Sequence, residues 1–227
     1  MNKFRLQKII SYILKVTVLI SVIIGVSLSA SASSESFMGG TTVFMYFTIQ
    51  SNIAIALICL IGCILISLNK IKNYVWYVIK LVGTVSITLT GTVFCFVLAP
   101  TMGTNAWNAA NILTHVIVPI AAIADFFIVA INIKYRRIDI LYVIIPPLLY
   151  AIYAAIGYVN NWQFAPNTNY PYFFLNWGSE AGAFGFSSSL PFMGVMWWIL
   201  FLLVLLIGVA SLYLFINNKL RKKLNLD

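Results

Sequence analysis

Two side chains in this sequence are of the types that serve as a nucleophile and a base. Thr48 stands in FMYFTIQSN, residues 44–52, and His115, the single histidine, stands in NILTHVIVPIAAIADFFIVAINIK, residues 111–134. A threonine hydroxyl is a weak nucleophile that needs a neighbouring base, a role neutral imidazole fills and desolvation supports by disfavouring the charged form. Ester chemistry also needs an oxyanion donor. Asn52, one turn below Thr48, and Asn111, one turn above His115, are the candidates, with Ser51 as polar support. Asp125 is the carboxylate set deepest in an apolar run. Helix rise and twist put it about 15 Å beyond His115 and roughly 80° round the axis, too far to orient the imidazole. Its expected role is structural, hydrogen-bonded or ion-paired with Lys80 or Lys15.

Burying such groups in an apolar helix without partners costs several kcal/mol, roughly 2–7 for a neutral group, so each must have a partner, a water-filled cavity or a function. Pro119 follows His115 by four residues and lacks the N–H that would bond the His115 carbonyl, which predicts a loosened, polar backbone there. Thr48, Ser51 and Asn52 fall at i, i+3 and i+4 and share one face, while Gln50 points the other way. Cys59 and Cys63 continue that face, and Thr84, Thr88, Gly91 and Thr92 make a second narrow polar stripe. A small-residue packing seam with interhelical hydrogen bonds is the usual reading of both stripes when the residues are taken alone.

The elements that carry these residues follow from composition. With 62% hydrophobic and 8% charged residues and a mean hydropathy of +0.98, the chain holds several apolar runs of about 20 residues, the length that crosses a bilayer core. The reading is an all-α integral membrane protein, a single domain over residues 1–227 with six spans near 9–30, 43–68, 75–98, 112–133, 140–159 and 193–216. A transmembrane barrel would show alternating segments of about ten residues instead. The net charge of +9 is scattered in short clusters between apolar runs, which argues against nucleic acid as a partner. Lys3, Arg5, Lys8, Lys70, Lys72, Lys134, Arg136, Arg137 and the cluster Lys219 to Lys223 all fall on one side, whereas Glu35 and Glu180 lie opposite. By the positive-inside rule both termini are cytoplasmic. Lys15 and Lys80 lie within spans toward the basic side, where their stems can snorkel.

The first segment also has the form of a cleavable signal peptide, a basic start and apolar run ending at Ala30-Ser31-Ala32. Its apolar stretch is longer than a usual signal core, so a retained span is expected; cleavage would leave five. Pro146-Pro147 is expected to bend span five and free carbonyls in mid-membrane. The uncharged stretch 99–111 reads as a loop. The long connection 160–192 is too rich in proline and glycine to span, and its aromatic content places it at the headgroup boundary over the outer mouth of the bundle. Cys59, Cys63 and Cys95 fall within spans and offer no extracellular disulfide framework. No nucleotide motif or metal-ligand spacing is present, so no cofactor and no metal are expected.

YFTIQSN at the head of span two, the lone histidine at the outer end of span four, and YPYFFLN in the long connection resemble a bacterial member of the androgen-induced protein family, which includes the androgen-dependent TFPI-regulating protein. The resemblance implies a multi-pass, six-span hydrolase of the cell membrane acting on fatty-acid esters of hydroxy fatty acids through a threonine, here Thr48, and a histidine, here His115. Membrane lipids or lipid-like molecules are then the partners. Spans two and four run in the same direction, and helix rise sets Thr48 ~7 Å and His115 ~6 Å below their helix starts, so the two are expected to meet near the outer surface. The competing class is a non-catalytic transporter, channel or scaffold, for which the double proline of span five speaks, although a transporter is expected to carry more intramembrane charge than Asp125 alone.

Overall fold

The computed structural model describes residues 3–32, 39–70, 73–130 and 133–224; Glu35 and Lys72 lie outside them. Among these residues six helices are long and apolar enough to cross a membrane: Arg5–Ser31, Phe47–Ser67, Tyr74–Trp107, Ala109–Val129, Arg137–Val159 and Val195–Lys223, spans one to six. The chain is an all-helical, multi-pass membrane protein. The clearest departure from the sequence expectation lies between spans three and four, where the predicted loop 99–111 is mostly helix. Span three continues through Ala99–Met102 and Gly103–Trp107, and Asn108 alone turns the chain, its side chain accepting from the Asn111 N–H at 3.0 Å as the N-cap of the next helix.

Both of these spans contain a π-turn, Phe94–Leu98 in span three and Leu113–Ile117 in span four. Each has a local cause. Pro100 cannot donate to the Phe96 carbonyl, nor Pro119 to the His115 carbonyl, and in each case the bereft carbonyl is the middle residue of the π-turn. The loosened backbone expected at His115 is thus a π-turn, and FCFVLAP, residues 94–100, repeats the spacing of LTHVIVP, residues 113–119. π-turns inside α-helices are frequent at functional sites.

The double proline of span five does something other than bend it in mid-membrane. A 3₁₀ helix over Arg137–Ile144 changes to an α-helix at Ile145–Val159, and Pro146-Pro147 occupy the first α-turn, where a missing N–H leaves no helical bond unmade.

Hydrogen bonds join the helix ends into two groups. At one end Gln7 donates to the Ile128 carbonyl, Lys8 to Asn69 at 3.0 Å, Tyr135 to the Tyr77 carbonyl at 3.2 Å and Asn217 to the Ile133 carbonyl at 3.3 Å. This end carries the basic clusters. At the other end the connection after span five, whose one helical turn is a 3₁₀ turn at Phe173–Leu175, packs on the bundle: the Tyr46 hydroxyl donates to the Phe164 carbonyl at 3.0 Å, Trp198 donates to the Pro191 carbonyl at 2.9 Å, and the Phe174 and Trp198 rings lie 5.5 Å apart. Two apolar clusters fill the interior. A large aromatic one unites spans three to six with that connection. A smaller one, built on Val18, Ile55, Ile87 and Val118, unites spans one to four.

Candidate functional site

The most polar point inside the bundle is Asp125. Its carboxylate accepts from the Lys15 ammonium at 2.6 and 2.7 Å, from the Ser11 hydroxyl at 2.6 Å and from the Lys80 ammonium. Lys15, Lys80 and Asp125 are each 3% exposed or less. Span two makes room for this knot with a glycine: a Cβ at Gly62 would sit 2.6 Å from Lys15 Cε. Three spans therefore meet at one carboxylate, with span two packed against the Lys15 stem. The cross-link gives the buried charges the partners that an apolar surrounding demands. It does not reach His115, in keeping with the ten-residue offset.

His115 lies in the π-turn of span four, its imidazole stacked on the Phe94 ring with centroids 3.8 Å apart and planes 20° from parallel. Gly91 of span three admits the π-turn, because a Cβ there would meet the His115 carbonyl at 2.8 Å. Nδ1 lies 3.1 Å from the Asn111 carbonyl and 3.0 Å from Thr114 Oγ1. The carbonyl only accepts, and Thr114 already donates to the Ala110 carbonyl at 2.8 Å, so Nδ1 carries the proton. Nε2 is then a lone-pair acceptor, and it has no hydrogen-bond partner among the described residues. The imidazole borders a cavity of about 340 Å³ that Asn108, Asn111, Ile49 and Leu98 also line.

Thr48 lies at the head of span two, where the Tyr172 hydroxyl accepts from its backbone N–H at 3.2 Å and pairs with its Oγ1 at 3.3 Å. Tyr172 thereby satisfies an N–H that the first turn of a helix leaves without an internal partner. Burial pushes the Tyr172 phenol up from its ordinary value, against the hydrogen bonds from Thr48 that pull it down. It keeps its proton at neutral pH and is no base for Thr48. The Thr48 cavity holds about 70 Å³ and is walled by Leu89, Tyr150, Phe174 and Leu98.

The two residues expected to meet therefore lie near the same end but line different cavities, and no hydrogen bond joins them among the described residues. The reason is azimuth. Thr48 and Ile49 are ~100° apart on span two, and it is Ile49 that faces the His115 cavity. Leu98 stands in the wall of both. Asn52 bridges the two backbones, its amide donating to the Thr48 carbonyl at 2.8 Å and the Thr114 carbonyl at 3.2 Å. With both amide N–H groups engaged in this way, Asn52 acts in this arrangement as polar support between two helices. Asn111 gives one of its two amide N–H groups to the Ala106 carbonyl at 2.9 Å. Ser51 bonds the Thr48 carbonyl at 3.0 Å and Thr90 at 2.7 Å, a helix-to-helix contact. Sequence reasoning missed Tyr172, for which only the YPYFFLN string was available, and missed Phe94, which the repeated proline spacing marks.

Among the described residues no group of three or more metal-ligating side chains assembles. Comparison with family models, with curated proteins and with solved structures finds no match to this chain.

Proposed function

We propose that this chain is an intramembrane hydrolase of lipid esters, with Thr48 as nucleophile and His115 as base, both termini in the cytoplasm and the aromatic connection on the outer face of a bacterial cell membrane. The observation that carries the reading is the His115 imidazole: its Nδ1 proton is committed to Asn111 and Thr114, its Nε2 lone pair has no partner among the described residues, and Leu98 stands in the wall of both its cavity and that of Thr48. The basic end of the bundle supports the orientation.

Rotation of Leu98 joins the two spaces for reaction. The Thr48 hydroxyl proton passes to Nε2 as Oγ1 attacks the ester carbonyl, and the imidazolium then protonates the departing alcohol. Water, deprotonated by the same Nε2, releases the acid and restores Thr48. The Tyr172 O–H, 3.3 Å from Oγ1, replaces Asn52 as the oxyanion donor. Labelling of the purified protein with a fluorophosphonate probe tests this directly, with Thr48 as the modified residue and loss of labelling in Thr48→Val and His115→Ala.

One observation favours a second reading, a non-catalytic transporter, channel or scaffold: the buried Lys15–Asp125–Lys80 cluster is of the kind that marks ion pathways in membranes. Folded protein that takes no label and turns over no acyl ester gives that reading the lead.

A further inference from the structure

Beside the Thr48 cavity, spans two, three and five enclose a larger space toward the basic end. Its volume is about 480 Å³, within the roughly 300–1,000 Å³ of small-ligand sites. Ser51 and Ser86 form a buried floor, while Ala54, Ile79 and Ile145 form a rim exposed on the apolar outer surface of the bundle. A cleft with such a rim fills sideways from the bilayer.

Its floor holds one unanswered polar group. The Ser86 hydroxyl is 5% exposed and has no hydrogen-bond partner among the described residues. Its neighbours are spoken for: Thr90 Oγ1 approaches the Ser86 carbonyl at 3.3 Å and pairs with Ser51 at 2.7 Å. A hydrocarbon chain in the cleft would satisfy the apolar walls and leave Ser86 bare, whereas a chain headed by an oxygen satisfies both. We propose that this cleft binds a single-chain acyl lipid, its carboxyl or ester oxygen on Ser86 and its chain running between Ala54 and Ile58 of span two and Val82 and Val78 of span three. From Ser86 to Val78 that path is about 12 Å by helix rise. Phe47 lines both this cleft and the Thr48 cavity, its ring 5.3 Å from that of Tyr150, so the head group rests beside the partition to Thr48. Binding here stands whether or not Thr48 reacts.

The test is photocrosslinking of the full chain in detergent by a medium-chain fatty acid, matched to that path and bearing a terminal diazirine, mapped by mass spectrometry. Crosslinks should fall on the segments 54–58 and 78–82, and unlabelled fatty acid should compete where an alkane of equal length does not. Ser86→Ala should weaken binding about tenfold, the scale of one lost hydrogen bond. Ala54→Trp, a change on the exposed rim, should abolish labelling by filling the cleft. Crosslinks as strong on the outer faces of spans one and two, equal competition by the alkane, or wild-type affinity in Ser86→Ala would each overturn the proposal. The competition needs no variant, so it decides even where a substitution fails to fold, and an inert Thr48 leaves it unaffected.

Discussion

Lys15 of span one grips both carboxylate oxygens of Asp125 of span four, at 2.6 and 2.7 Å, with neither side chain more than 2% exposed. This contact fastens the first helix to the centre of the bundle. Removing the carboxylate leaves two ammonium groups buried together, so Asp125→Leu should destabilise the protein by about 3–5 kcal/mol, the cost of breaking a buried ion pair from one side. Asp125→Asn keeps acceptor capacity and should fold with most of any activity intact. Thermal unfolding in detergent measures the first claim and turnover the second; a well-folded but inactive Asp125→Asn would bring the carboxylate into the chemistry.

Because Lys15 and Asp125 serve one another, their substitutions should not add. Lys15→Met with Asp125→Leu is expected to cost less than the sum of the two single changes by roughly 0.5–3 kcal/mol, the usual range for groups in contact. Additive losses would mean that the pair contributes no coupling to the fold.

Gly91 leaves space for the His115 carbonyl. Gly91→Ala places a methyl 2.8 Å from that oxygen and should cost roughly 1–3 kcal/mol through overpacking. It should also displace the imidazole from Phe94. Unfolding temperature reports the first effect, and altered reactivity of His115 toward diethylpyrocarbonate the second; no change in either would show that span three yields freely at this point.

For the hydrolase reading, Thr48→Ala and His115→Ala should each abolish ester turnover, and the double variant should be no worse than either, as expected for groups acting as a unit. Thr48→Ser keeps the hydroxyl and should retain activity, whereas Thr48→Val keeps the shape and should have none. Tyr172→Phe should lower kcat roughly 10²-fold if its hydroxyl serves the oxyanion. Wild-type turnover in Thr48→Val returns Thr48 to a helix-capping contact with Tyr172.

Orientation is checked by single cysteines at two exposed positions, Lys222 and Glu180. An impermeant thiol reagent applied to intact cells should label the cysteine at position 180 and spare the one at 222, as the one-sided basic residues require. The reverse pattern would invert the topology.

Membrane character and the number of spans were legible in the chain itself, because a run of about 20 apolar residues has few ways to satisfy its backbone other than a helix across a bilayer. The loosened backbone at His115 was legible too, since Pro119 removes an N–H wherever it stands in a helix. So was the need of Asp125 for a hydrogen-bonded or ion-paired partner. Helix limits between residues 99 and 111 were not, because Asn108 caps the following helix with a single residue and leaves almost no loop to read.

What only the tertiary structure decided is direction around each axis. Depth follows from counting residues, and by depth Thr48 and His115 belong together. Azimuth follows from which helices pack side by side: span two turns Thr48 toward Tyr172 and spans three, five and six, and turns Ile49 toward His115. The same packing turns the amides of Asn52 and Asn111 toward carbonyls and leaves His115 Nε2 and the Ser86 hydroxyl without partners among the described residues. A one-residue step moves a side chain ~100° round a helix, so the partner of each polar group is fixed by contacts between spans far apart in the chain.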